Sequence, residues 1–235
     1  MSKTLTIYHG SQHIIEAPVY GAGRRNNDFG VGFYCSESKD LAKEWAVSSF
    51  RDGFCNRYAL DTERLKVLQL NSPDYTVLNW MAVLLEHRLF ALKTPVARRA
   101  RAFLTNNFGI SVDDYDLIIG YRADDSCFAF AEAFLNNAIT AEHLARAMRS
   151  GKSGEQLVLK SKLAFSMLRY EGFEPAPKEI CLIRRRSRDE QANQMYQTIL
   201  EEETDGEETA GLFIQDIIRE DIGNDDPRLP RNVSP

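Results

Sequence analysis

Tyr8-His9-Gly10-Ser11, followed by Asp28-Phe29-Gly30-Val31-Gly32-Phe33-Tyr34, is the pair of stretches on which the reading of this chain turns. Thr4 to Tyr8 alternates polar and apolar residues and is rich in β-branched and aromatic side chains, so it predicts a half-buried strand that Gly10 ends. His9 then sits at a strand end. A ring nitrogen there can donate to a sugar hydroxyl, while Gly10 lets a ligand approach the backbone. The alternative is a partly buried histidine at a capped strand. In the second stretch Gly30 and Gly32 precede Phe33-Tyr34, and each glycine costs about 0.5–1 kcal/mol relative to alanine. That cost suggests a ligand packed against bare backbone. Ser36 and Ser38 are candidate caps for a helix over 39–50, on which Leu41 and Trp45 share a face. The indole of Trp45 can turn back toward Tyr34, and two facing aromatic rings suit a flat, cationic pyridinium.

The 235 residues suffice for one domain and a tail, and 43% hydrophobic with 27% charged residues is the balance of a soluble globular chain. No run is long enough to cross a bilayer, and Met1 to Leu5 has no apolar signal core, so the expectation is a cytoplasmic protein without membrane contact. Cys35, Cys55, Cys127 and Cys181 show no metal-ligand spacing, predicting buried thiols and no metal site. A net charge of −5 gives no general pull toward nucleic acid. The clusters Arg98-Arg99-Ala100-Arg101 and Arg184-Arg185-Arg186-Ser187-Arg188 read first as a solvated helix face or strand end.

Residues 12–27 have loop composition and lie between the two decisive stretches, so they are expected to rim the site. Within them Arg24 and Arg25 can meet a pyrophosphate, since guanidinium groups match phosphate oxygens in pairs; an exposed turn is the alternative. Strands are expected over 56–60, 66–70 and 115–119. Helices are expected over 74–92, with Trp80 in the core, and over 96–106. Asp124 or Asp125 is a candidate cap for the helix beyond Arg122, and the Arg-x-Asp-Asp loop can line a cleft. Thr140 caps a further helix, and His87 and His143 read as surface residues. Gly151-Lys152-Ser153 lacks the upstream glycine and following helix of a phosphate loop. A strand is expected over 155–160, a helix over 162–170, a last strand over 178–184, then acidic helices over 189–203 and 207–222 and a disordered end from 223.

Tyr-His-Gly-Ser, then Phe-Gly-x-Gly-Phe-Tyr, then an aromatic residue eleven positions on, resembles the nicotinamide pocket of the ADP-ribosyltransferase superfamily, in its poly(ADP-ribose) polymerase or diphtheria-toxin branch. Within it the chain is similar to short bacterial ADP-ribosyltransferase-like proteins, often encoded beside a small partner as a toxin is beside its antitoxin. The likeness runs from Leu5 to Arg169 and includes Ile119-Gly120-Tyr121-Arg122-Ala123-Asp124-Asp125 and Gly154-Glu155-Gln156-Leu157-Val158-Leu159-Lys160-Ser161.

The resemblance implies an α+β domain with a split, mostly antiparallel sheet around an NAD cleft, and a helical C-terminal tail. With the helical spacing and composition beyond it, residues 1–186 are given to the domain, 187–222 to an acidic helical tail and 223–235 to a disordered end. The resemblance implies NAD as substrate and transfer of its ADP-ribose to a protein or nucleic-acid acceptor. His9, Tyr34 and a third residue are then catalytic, and His9, Gly10, Ser11, Arg24, Arg25, Gly32, Tyr34 and Trp45 bind the dinucleotide. The third residue opens a strand facing the histidine, where Glu155 and Gln156 both stand and alternation admits only one to the cleft. The likeness favours Gln156, which keeps a hydrogen bond to ribose without the charge that offsets a cationic sugar. A catalytically weak NAD or ADP-ribose binding module acting through a partner is the alternative. Leu212, Phe213, Ile217 and Ile218 form either a partner face or a helix folded back on the domain.

Overall fold

The structure, a computed structural model, describes residues 4–123, 125–150, 154–204 and 211–232. Strand β1 (Thr4–Ser11) pairs antiparallel with β3 (Gly53–Asp61), and β3 pairs with β7 (Leu168–Ala176). A second sheet has the order β2 (Phe33–Cys35), β6 (Glu155–Leu159), β5 (Leu117–Tyr121), β4 (Val67–Gln69), with only the β4–β5 pair parallel. The chain is therefore α+β with two mostly antiparallel sheets. Ile7, Phe33, Tyr58, Leu117, Leu157 and Leu159 meet in an apolar layer drawn from both sheets.

The helices are α1 (Lys39–Ala46), α2 (Val77–His87), α3 (Pro95–Phe108), α4 (Asp125–Leu135), α5 (Ala141–Ser150), α6 (Lys162–Ser166), α7 (Lys178–Thr204) and α8 (Ile214–Arg219). Every residue of α2 from Val77 to Leu85 is buried, as in a helix surrounded by protein rather than lying on its surface. Its Trp80 is fully buried and donates its indole N–H to the Tyr121 carbonyl at 3.0 Å. None of the helices, searched over the described residues, is long and apolar enough to cross a membrane. The four cysteines are buried.

The structure corrects several expectations. Strand β1 runs through Gly10 to Ser11, so His9 lies within it, opposite Asn56. Helix α1 stops at Ala46, four residues short of the expected end, because Val47 turns extended. The helix expected over 162–170 is only α6, since the alternating residues from 168 pair with β3 as β7. The last strand expected over 178–184 is instead the start of α7, which runs across the expected boundary at 186. His143 is buried against the capping Thr140 hydroxyl at 3.2 Å, and His87 packs its ring beneath Gly30. Asp124 and residues 151–153 lie outside the described residues.

The C-terminal segment packs. Ile214 and Ile217 of α8 are fully buried, so the apolar face of the tail folds back on the domain. Disorder from 223 does not hold to 232: Asn232 is 2% exposed, takes the Tyr75 carbonyl with its backbone N–H at 2.9 Å and the Leu70 carbonyl with its side chain at 2.6 Å. Asn232→Ala should cost about 1–3 kcal/mol, the usual penalty for stranding a buried carbonyl. A urea denaturation midpoint unchanged by that substitution would show that the end contributes nothing to the fold.

Candidate active site

Two strands from different sheets meet at the site. Tyr8 and Ser36 exchange backbone hydrogen bonds of 2.8 and 2.9 Å, and His9 Nδ1 lies 2.7 Å from the Tyr34 carbonyl oxygen. A carbonyl only accepts, so Nδ1 carries the hydrogen and Nε2 of the neutral ring is an acceptor. This reverses the donor role expected of His9 toward a sugar hydroxyl. The ring stacks on Phe33 with centroids 4.3 Å apart. Burial pushes the histidine below its ordinary pKa of 6.5, against the Tyr34 carbonyl bond that raises it.

The glycines serve chain packing. A Cβ at Gly10 would lie 1.9 Å from the Ala42 carbonyl of α1, and one at Gly32 would lie 2.5 Å from Val158 Cγ1. Gly10 thus seats α1 on β1, and Gly32 seats the loop before β2 on β6. Gly30 has φ +71°, where a side chain is strained.

That loop is fixed along its length. Phe29 is buried under Gly120, whose Cβ would come within 2.8 Å of the ring. Lys160 Nζ donates to the Phe29 carbonyl at 2.7 Å. The Tyr34 hydroxyl donates to the Gly30 carbonyl at 2.7 Å and accepts from Phe29 N–H at 3.0 Å. Burial raises that phenol well above its ordinary pKa, so Tyr34 contributes its ring and no proton chemistry.

Alternation decides between Glu155 and Gln156. Gln156 and Val158 share one face of β6, continued by Lys160 just past its end, and the loop lies over that side. Glu155 turns the other way and accepts from Asn71 Nδ2 at 2.7 Å. Gln156 is buried and its Nε2 donates to Asp28 Oδ2 at 2.7 Å and to the Tyr121 carbonyl at 3.3 Å. Both amide hydrogens are thereby used, and Oε1 is left as an acceptor.

Asp28 is the site residue that sequence reasoning missed. It is 5% exposed, accepts the Ala123 N–H at 3.0 Å as well as the Gln156 amide, and has Arg88 at 3.6 Å. Burial raises its pKa, against hydrogen bonds from Gln156 and Ala123 and the charges of Arg88 and Arg122. Its signal was its place at the head of the Phe-Gly-x-Gly-Phe-Tyr stretch, where an acid followed by residues destined for burial needs a partner.

These residues surround a cavity of about 840 Å³, within the range of ligand sites. His9, Gly10, Ser11, Arg24, Gly32, Tyr34, Trp45 and Gln156 all line it; Arg25 and Glu155 do not. The 12–27 loop forms one rim, tethered where the buried Asn56 side chain accepts from Ile15 N–H at 2.9 Å and Tyr58 donates its hydroxyl to the Ile15 carbonyl. Trp45 does line the cavity, but the guanidinium of Arg122 lies 5.1 Å from its ring centroid. Arg185 and Arg188, expected on a solvated face or strand end, form another part of the wall. Five arginines against Asp28 and Asp189 make the cavity positive in a chain whose net charge is −5. Among the described residues, no group of three or more acidic, histidine or cysteine side chains is placed to hold a metal.

Residues 5–170 match the family model described as a protein of unknown function (DUF3990). The chain belongs to the DUF3990 family. The match takes in every residue lining the cavity except Arg185, Arg188 and Asp189, which α7 carries beyond its end. The chain matches no curated protein and no solved structure.

The His9 ring should titrate below pH 6.5. As pH falls past 6.5 the unfolded chain binds the proton before the native one, so this group's contribution costs stability progressively until the native pKa is reached. Any binding that needs Nε2 as acceptor should be flat above 6.5 and fail as pH drops through the native value. Ring ¹⁵N NMR reads this directly, and a midpoint at or above 6.5 would contradict the assignment.

Proposed function

We propose that this DUF3990 protein cleaves NAD at the nicotinamide–ribose bond and transfers ADP-ribose to a macromolecular acceptor, releasing nicotinamide. The observation that supports this most is the convergence of His9, Tyr34, Trp45 and Gln156, drawn from β1, β2, α1 and β6, on one positive cavity. The fold that accompanies the reading is an ADP-ribosyltransferase-like split sheet. Protein and nucleic-acid acceptors both fit the proposal. So does a toxin's role in a toxin–antitoxin pair, in the cytoplasm, with a small cognate antitoxin docking elsewhere than on the buried face of α8.

In this mechanism the pyridinium of NAD lies against the Tyr34 ring. Trp45, which lines the same cavity from α1, takes part in the contact with its ring. His9 Nε2 accepts a ribose hydroxyl and positions the sugar. As the bond to nicotinamide lengthens, its electron pair leaves with the neutral heterocycle and positive charge grows on the ribose. A carboxylate near that carbon is worth several kcal/mol in related glycoside chemistry. Here Gln156 Oε1 takes the contact with the ribose or the incoming nucleophile. The Asp28 carboxylate sits one hydrogen bond behind it, polarising the amide. The nucleophile's oxygen or nitrogen then bonds to the ribose carbon and loses its proton to solvent or to the acceptor's own surroundings.

The alternative, a module that binds NAD or ADP-ribose without turnover, is favoured by one observation: the group at the third position is an amide whose hydrogens are already bonded. Radiolabelled NAD separates the two. Transfer predicts nicotinamide release and label on macromolecules of a cell extract, with His9→Ala and Gln156→Ala each lowering it by at least about a hundredfold, the usual scale for losing a group that acts in the transition state. Label retained as intact NAD would support the binding module. Full labelling by either variant would mean that the chemistry lies elsewhere.

A further inference from the structure

Helix α7 closes the cavity with residues lying beyond the family segment, and their hydrogen-bonding state points to a ligand. Arg188 is 8% exposed and lines the cavity; its Nη2 is bonded to the buried Glu44 carboxylate, while its Nε and Nη1 are buried with no partner. Next to Glu44 along α1, Trp45 also lines the cavity, and its indole N–H is buried without a partner. Buried donors are rarely left unpaired, and each costs about as much as a lost hydrogen bond. Here three such atoms belong to two side chains of one cavity wall. Arg185 donates to the Glu44 and Val47 carbonyls, and Arg122 lies over the Trp45 ring. At this end of the cavity three guanidinium groups thus face two carboxylates, Glu44 and Asp189.

We propose that α1 and α7 together form an anion seat, in which Arg188 and the indole N–H of Trp45 hold the phosphate oxygens of a phosphate-bearing ligand. Donors stranded in a water-poor wall under excess positive charge suit a group that is acceptor-only and negative. Glu44 fixes the guanidinium through one nitrogen and leaves the rest of the fork to the ligand. The inference needs only a phosphate-bearing molecule in the cavity and stands apart from nicotinamide chemistry.

The test is calorimetric titration of the full chain with inorganic pyrophosphate at fixed ionic strength. Wild type should bind. Trp45→Phe, which keeps an aromatic ring and removes the N–H, should weaken binding several-fold, and Arg188→Gln by about tenfold or more, the ordinary worth of a charge-assisted hydrogen bond. Glu44→Gln should tighten it, because the guanidinium loses its competing anion. Should Arg188→Gln fail to fold with Glu44 left unpaired, the Glu44→Gln/Arg188→Gln double variant keeps a neutral pair and should bind as weakly. Absence of pyrophosphate binding at millimolar concentration overturns the seat, as does binding indifferent to Trp45→Phe and to the arginine variant. Binding that follows these variants in a protein releasing no nicotinamide supports the seat and refutes transfer. Nicotinamide release without pyrophosphate binding does the reverse.

Discussion

The site depends on a junction of a few hydrogen bonds, where β1 of one sheet meets the chain around β2 of the other. The paired backbone bonds between Tyr8 and Ser36 and the bond from His9 Nδ1 to the Tyr34 carbonyl hold the two sheets at a fixed spacing there. Everything else at the site is arranged from that point. Gly10 admits α1 and brings Trp45 to the cavity, and the loop before β2 is pressed onto β6 so that Asp28 reaches Gln156. Because the bond to Tyr34 fixes the tautomer of His9, it also fixes which hydrogen-bond partner the histidine can take.

The electrostatic arrangement follows from burial. A lone carboxylate as enclosed as Asp28 would be costly, and the structure answers with two hydrogen bonds and the nearby Arg88. The same wall holds Glu44 by Arg188. Both acids are therefore committed, and the arginines around them outnumber them. A chain with a net negative charge thus carries a locally positive hollow, which concentrates anionic ligands where the surface as a whole repels them.

Much of this was legible in sequence because it rests on local pattern. The alternation of Thr4 to Tyr8, the cap at Ser38 and the shared face of Leu41 and Trp45 place their elements within a few residues. Eight of the ten residues expected at the site do line one cavity. The choice between Glu155 and Gln156 was not legible, since alternation says that the two diverge and only the position of the 28–32 loop says which faces the cavity. The cost of Gly32 and the bare backbone at Gly10 were both assigned to a ligand, whereas β6 and α1 are what approach them. The failure beyond residue 166 has one cause. Leu168 and Tyr170 fit a helical face as well as an alternating one, and extending α6 over them displaced β7 and recast the first turns of α7 as a strand. With that error Arg185 and Arg188, one helical turn apart, lost the spacing that would have put them on a common face.

The most direct test of the account is a crystal structure with a non-hydrolysable, carbocyclic NAD analogue. The account predicts the nicotinamide ring in van der Waals contact with Tyr34, a hydroxyl of the ring that replaces ribose within hydrogen-bond distance of His9 Nε2, and the Gln156 amide still bonded to Asp28. A dinucleotide bound outside this cavity, or lying in it with its nicotinamide remote from both His9 and Tyr34, would contradict it.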